Sequence, residues 1–164
     1  MTPAERIADA ALKPLDAVPV QTYFCAGIQL SDIIDRVLLQ TGPARLDIST
    51  FSAGEEFLRR LWRLKQSGAV TYCRLICDAR AMKKTKLLAT FMTNVADCVM
   101  VGSNHSKVVL VSGEKMSAAV ITSQNLTRGN RTEAGVITAD PVSVDAVRMR
   151  FDNLVKNSVY VFES

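Results

Sequence analysis

Histidine is nearly missing from this 164-residue chain: His105 is the only one. Long apolar runs are missing too, since nowhere do the roughly 18 consecutive apolar residues of a membrane-crossing helix occur. The opening "MTPAERIADAALKPLDAVPV" carries acids early and has no continuous apolar stretch, so it does not read as a secretory leader and a cytoplasmic protein is expected. Zinc-type spacing is absent: Cys73 and Cys77 form C-x₃-C without a second pair or a nearby histidine, and Cys25 and Cys98 stand apart. Buried free thiols in a reducing compartment are expected. The polar stretch after Asn125 has no cluster of acids for magnesium, so no metal and no cofactor are expected. Repeats, low-complexity segments and long linkers are also lacking. At this length that leaves one domain, with a core over 21–164 behind an N-terminal extension of 1–20.

What the chain does hold is 48% hydrophobic residues, ample for a core, and a net charge of +4 that hides an asymmetry. Residues 1–58 carry four basic and eight acidic side chains, whereas 59–86 carry nine basic against one acid, Asp78. Arg59, Arg60, Arg63 and Lys65 read as a solvated helix face that suits a C-terminal dipole. The group in "RAMKKTK" differs, because Lys83, Lys84 and Lys86 would stand at a helix start, the end that disfavours cations. A polyanion such as nucleic acid would account for them.

Helical and strand-like stretches interleave. A helix over 3–12 is followed by "SDIIDRVLLQTG", with Ser31 as N-cap and Gly42 as stop. "ARLDISTF" reads as a strand. "SAGEEFLRRLWRLKQSG" reads as a helix with a Ser52–Glu55 capping box, an apolar face of Phe57, Leu58, Leu61, Trp62 and Leu64, and Gly68 past its end. The strand "VTYCRLICDA", a helix over 82–94 and the strand "DCVMVG" come next. "KVVLV" and "SAAVIT" suggest an antiparallel hairpin with Gly113 in the turn. The strand "AGVITA" leads to a final helix, capped by Asp140, opened by Pro141 and striped by Val144, Val147, Phe151, Leu154 and Val155. Helical crossovers followed by a hairpin predict an α/β sandwich, a mixed β-sheet flanked by helices.

The chemistry gathers around the hairpin. His105 and Lys107 are two apart and would share one side of a strand, as would Ser123 and Asn125 where the return strand ends. Glu133, just before the next strand, is placed to accept a hydrogen bond from the imidazole. A phosphodiester's non-bridging oxygens could be held by Lys107, Asn125 and the Ser123 hydroxyl, while a neutral imidazole attacks phosphorus.

In "HSK" at 105–107, "TSQNLT" at 122–127 and "NRTEAGVI" from 130, the sequence resembles the phospholipase D superfamily, whose motif is H-x-K, an aspartate, then G-S-x-N and a later glutamate. The likeness runs over about residues 20–155. Ser112 stands where that pattern has its aspartate, and Thr122 where it has the glycine. The resemblance implies a phospholipase D-like fold and a metal-independent phosphodiesterase, with His105, Lys107, Ser123, Asn125 and Glu133 as catalytic residues. Two histidines serve the family's mechanism, so a single-motif chain implies a homodimer with a shared site. A nuclease acting on nucleic acid, DNA in preference to RNA, is the leading expectation, with Arg80, Lys83, Lys84, Lys86, Arg128 and Arg131 as candidate contacts to its backbone. The alternative is a silent module that kept the phosphate pocket without turnover. Phospholipid hydrolysis fits less well, because the sequence shows no membrane-seeking amphipathic helix.

Overall fold

The sheet is built from strands whose two faces are both largely apolar, the mark of burial on both sides. The computed structural model describes residues 1–84 and 86–163, apart from the side chains of residues 84, 86 and 163. In chain order the elements are α1 (Pro3–Ala11), β1 (Val20–Ala26), α2 (Leu30–Thr41), β2 (Ala44–Ser49), α3 (Glu55–Gln66), β3 (Val70–Asp78), α4 (Ala79–Lys84), α5 (Lys86–Val95), β4 (Cys98–Gly102), β5 (Val108–Gly113), β6 (Ser117–Thr122), β7 (Thr132–Thr138), α6 (Pro141–Lys156) and β8 (Val159–Glu163). The strands form one eight-stranded sheet in the order β1-β7-β6-β5-β2-β3-β4-β8. β2, β3 and β4 run parallel through helical crossovers, and the remaining pairs are antiparallel. The expected α/β architecture with a mixed sheet is the one observed.

Strand alternation divides the core in two. Leu46, Ile48, Leu75, Val109 and Val120 face one side and pack with Ile33, Val37 and Leu58 of α2 and α3. Ile76, Met100, Leu110 and Ala119 face the other, where α6 lays down Val144 and Phe151. Among the described residues no helix is long and apolar enough to cross a membrane. Cys73, Cys77 and Cys98 are buried, and burial pushes the Cys77 thiol up to about 12.

Several local expectations change. α2 starts two residues early, at Leu30, with Gln29 at its cap position, so Ser31 lies inside the helix. α3 is preceded by Gly54 and has no side-chain cap, so the Ser52–Glu55 box does not form. Ser52 is held elsewhere, its carbonyl taking the Leu126 amide. Trp62 is 52% exposed rather than part of the buried face. The single helix over 82–94 is two, α4 and α5, so Lys83 ends one helix instead of opening one. The strands β1 and β8 were not expected at all. Gly42 and Gly68 do end α2 and α3, at φ 71° and 79°.

The β5–β6 hairpin forms as expected, with Val108 opposite Ile121 and Ser112 opposite Ser117. Gly113 is required there by space: a Cβ would lie 2.6 Å from the Thr41 carbonyl oxygen and 2.7 Å from that of Met116, both backbone atoms. Gly113→Ala is therefore expected to lower the unfolding free energy by about 1–3 kcal/mol, read as a lower urea midpoint at unchanged m-value.

Candidate active site

The segment between β4 and β5, residues 103–107, is irregular, yet it is held as firmly as a strand. Asn104 does this. Its side chain is buried, and its amide donates to Ser49 Oγ at 2.8 Å and to the carbonyls of Thr50 and Ile76 at 3.2 Å. Its Oδ1 accepts the Ser106 amide at 3.1 Å and the Ser106 hydroxyl at 2.6 Å. The Asn104 backbone amide donates to Asp78 Oδ2 at 3.0 Å, while Asp78 Oδ1 takes the Arg80 amide at 2.8 Å. These bonds tie the segment to the ends of β2 and β3. Sequence reasoning passed over Asn104, whose burial and distant partners no local spacing shows.

Clamped in this way, residues 105 and 107 project from the sheet edge just before β5, not from within the strand as expected. They still meet: Lys107 Nζ donates to the His105 carbonyl at 2.7 Å and lies 3.2 Å from Nδ1. A lysine ammonium can only donate, so Nδ1 is the accepting nitrogen in this arrangement and the neutral ring carries its proton on Nε2. The exposed imidazole leans on Phe51, with ring centroids 5.4 Å apart.

The second motif pair arrives from β6. The Thr122 amide bonds the Lys107 carbonyl at 3.1 Å, carrying the ladder one pair beyond β5 and setting "TSQN" beside "HSK". Asn125 Oδ1 accepts from Thr50 Oγ1 at 3.3 Å and from the Ser52 amide at 3.4 Å, which turns its NH₂ toward the cleft. Beyond it, Leu126 exchanges bonds with Ser52 and Gly54 at the start of α3, and Gly129 does so with the Gln29 side chain. Behind the loop stands Tyr23, whose hydroxyl contacts Thr122 Oγ1 at 2.6 Å and Gln124 Oε1 at 2.7 Å. Burial pushes that phenol up to about 12. Gly135 makes room for the ring, since a Cβ there would lie 2.6 Å from it.

The result is a polar cleft of about 410 Å³. His105, Lys107, Ser123, Asn125 and Glu133 all line it, joined by Arg128 and Arg131. One expectation fails: Glu133 does not reach the imidazole of its own chain but accepts from the Ser123 hydroxyl. The physical reason is register, because Glu133 pairs with Cys25 of the outer strand β1, whereas Ser123 bonds the neighbouring Ala134 through its backbone amide and its hydroxyl. Arg80 and Lys83 are exposed on α4, which starts at this sheet edge, but they do not line the cleft. The Lys84 and Lys86 side chains lie outside the described residues. Arg60, by contrast, is tied to Asp32 at 2.6 Å and Asp35 at 3.2 Å, and Arg59 to Glu55 at 2.6 Å, as suits the helix-face reading of that group. Among the described residues no three His, Cys, Asp or Glu side chains are grouped to hold a metal ion.

Ser112 lies at the far end of β5 from His105, where its Oγ accepts from Arg148 of α6 at 2.8 Å. The position that departs from the family pattern therefore holds a helix to the sheet and does not touch the cleft.

Asp78 gives the site a pH dependence. Backbone amides, that of Asn104 foremost and then that of Arg80, hold its carboxyl below the ordinary 3.8. A depressed carboxyl stabilises the fold above its unfolded pKa, and that contribution disappears as pH falls through the folded value. Stability is expected to decline on acidification below about pH 4, with Asp78→Asn flattening that part of the curve; thermal melts over pH 2–6 read both.

No family model and no curated protein matches this chain. Solved structures do. Nuc from Salmonella typhimurium, a phospholipase D family member, superposes with a TM-score of 0.65 at 14% identity, over 88% of this chain and 98% of its own. NucT from Helicobacter pylori gives 0.64 at 13%, over 86% and 99%. Phosphatidylserine synthase from Haemophilus influenzae gives 0.57 at 16%, over 87% of this chain and 40% of its own. Over nearly the whole of Nuc and of NucT, this chain shares their fold, that of a phospholipase D family member.

Proposed function

We propose that the protein is a metal-independent phosphodiesterase, a nuclease that hydrolyses nucleic-acid phosphodiester bonds through a phosphohistidine intermediate. The observation that carries this is the single cleft that gathers His105, Lys107, Ser123 and Asn125 from two separate turns. A phosphate entering it meets an ammonium, an amide NH₂ and two guanidinium groups, donors that strengthen as charge builds on the phosphoryl oxygens. Its oxygens draw Lys107 away from the ring. With Nδ1 free, exchange with solvent moves the ring proton from Nε2 to Nδ1, and Nε2 then attacks phosphorus as the P–O bond to the leaving oxygen breaks.

The leaving oxygen needs a proton, and a water must later be activated to cleave the phosphohistidine. Both tasks suit a second imidazole. This chain has no other histidine, so the second comes from another copy, with the two His105 side chains on opposite sides of one phosphate in a homodimer. Glu133, bound to Ser123 in its own chain, orients that hydroxyl and adds no direct support to the ring of the same copy. Arg128 and Arg131 line the cleft, while Arg80 and Lys83 extend cationic surface along the same sheet edge. Contacts of this kind grip a backbone without reading bases, and DNA is the preferred substrate in this reading. A cytoplasmic setting accords with the buried thiols.

The test is cleavage of DNA in the presence of EDTA. His105→Ala is expected to reduce the rate by about 10²–10⁴-fold, and Lys107→Ala by about 10²–10³-fold. Cleavage by His105→Ala at the wild-type rate contradicts the assignment. Salt-dependent DNA binding by a wild type that cuts no nucleic acid favours the silent module.

A further inference from the structure

The loop between β6 and β7 supplies the cleft with Asn125, Arg128 and Arg131, and its two halves are held very differently. The inner half is buried or half-buried at Gln124, Asn125 and Leu126, and it is bonded to the segment before α3 and to the Ile28 carbonyl. The outer half, residues 127–131, is exposed throughout. Left to itself such an arc is mobile, and the two guanidinium groups on it have no fixed place.

Gln29 changes that. Its carboxamide meets both backbone polar groups of one residue in the arc: Nε2 donates to the Gly129 carbonyl at 2.7 Å, and Oε1 accepts the Gly129 amide at 3.2 Å. Among the described residues no other hydrogen bond reaches the backbone of 127–131 from outside it. The remaining tie, Arg128 to Glu56 at 3.4 Å, joins side chains that are 69% and 68% exposed, so water and salt weaken it. Gln29 itself stands on firm ground, because Ile28 and Leu30 on either side of it are buried in the core. It also occupies the cap position of α2, where a short oxygen-bearing side chain ordinarily bonds the first helical amides, and no side chain does so here. The helix forgoes its cap, and the side chain at that place is given to the loop.

We infer that Gln29 is a positioning residue for substrate binding: it fixes the 127–131 arc so that Arg128 and Arg131 face the nucleic-acid backbone in the cleft. It touches no reacting atom. Its effect lies in the grip on phosphates that flank the reacting one, so its loss falls on KM and leaves kcat in place. The substrate in this inference rests on the nuclease reading above; the bonds to Gly129 do not.

Binding of a labelled oligonucleotide by fluorescence anisotropy over a salt series tests it, with cleavage kinetics read separately. Gln29→Met keeps the length of the side chain and removes both bonds. It is expected to raise Kd and KM about five- to tenfold and to change kcat less than about twofold. The slope of log K against log salt should flatten by up to about two phosphate contacts, each near 0.9 for a duplex and 0.7 for a single strand. In a chain that already carries Arg128→Ala and Arg131→Ala, the same substitution should change Kd less than about twofold, because the groups it positions are gone. Gly129→Pro removes the amide from the loop's side, at an exposed residue where a Cβ meets nothing within 4 Å, and should weaken binding in the same way. Gln40→Met is the control: Gln40 Oε1 takes the Leu15 amide at 2.7 Å near the other end of α2, and losing that bond should leave Kd unaltered. Gln29→Met binding as tightly as wild type overturns the inference, and so does an equal loss of affinity in the chain without the two arginines or in Gln40→Met. A wild type that binds DNA with the expected responses but cuts none upholds the role of Gln29 and removes the nuclease reading alone. A wild type that neither binds nor cuts nucleic acid overturns both.

Discussion

The buried amide of Asn104 is the interaction on which the cleft depends. An irregular segment at a sheet edge would ordinarily be mobile, because its backbone polar groups have no ladder to join. Here one side chain substitutes for the ladder. It bonds Ser49 and Ile76 on two parallel strands, Thr50 just past the first of them and Ser106 on its own segment, so the imidazole and the ammonium on either side of Ser106 stand at fixed points. Asp78 completes the clamp by holding the Asn104 amide while it starts α4 through the Arg80 amide. Removing such a group leaves several buried donors and acceptors without partners, each costing about 1–3 kcal/mol.

The same logic bears on two of the departures from the phospholipase D pattern, those at Thr122 and Ser112; the third is a longer stretch between Lys107 and Ser123. Thr122 stands in place of a glycine, and its hydroxyl is absorbed by Tyr23 and Gln124, so the added side chain makes a buried network instead of a clash. That network reaches β1, since Tyr23 sits under Gly135, and it reaches the turn before α2 through the bond from Gln124 to the Ile28 carbonyl. Ser112 stands in place of an aspartate, and its partner is Arg148 of α6. Neither change removes a donor from the cleft.

Much of this was legible in the sequence, for reasons that residue spacing makes plain. The hairpin, the stops at Gly42 and Gly68 and the Asp140–Pro141 start of α6 are local signals, and they held because local geometry decided them. β1 was missed because "VQTYFCA" has apolar residues on both faces, one set buried with Tyr23 and the other exposed with Phe24, so no period shows. β8 is five residues long and takes its strand form only by pairing with β4. In the site, "HSK" and "TSQN" carried their own spacing. Asn104 did not, because its partners lie 28 and 55 residues away in sequence. Glu133 was expected just before a strand and lies within β7, where it accepts from Ser123 and not from the imidazole, a matter of register that no single stretch encodes.

If the cleft works as its geometry suggests, the decisive species is covalent. Rapid quenching of the wild-type protein during turnover of an oligonucleotide, followed by mass spectrometry of the peptide that spans residue 105, tests this directly. The proposed chemistry predicts an oligonucleotide fragment joined through its phosphorus to His105, the P–N bond stable to alkali and lost in acid, that forms and decays at the rate of cleavage. Cleavage at full rate without any such adduct contradicts it.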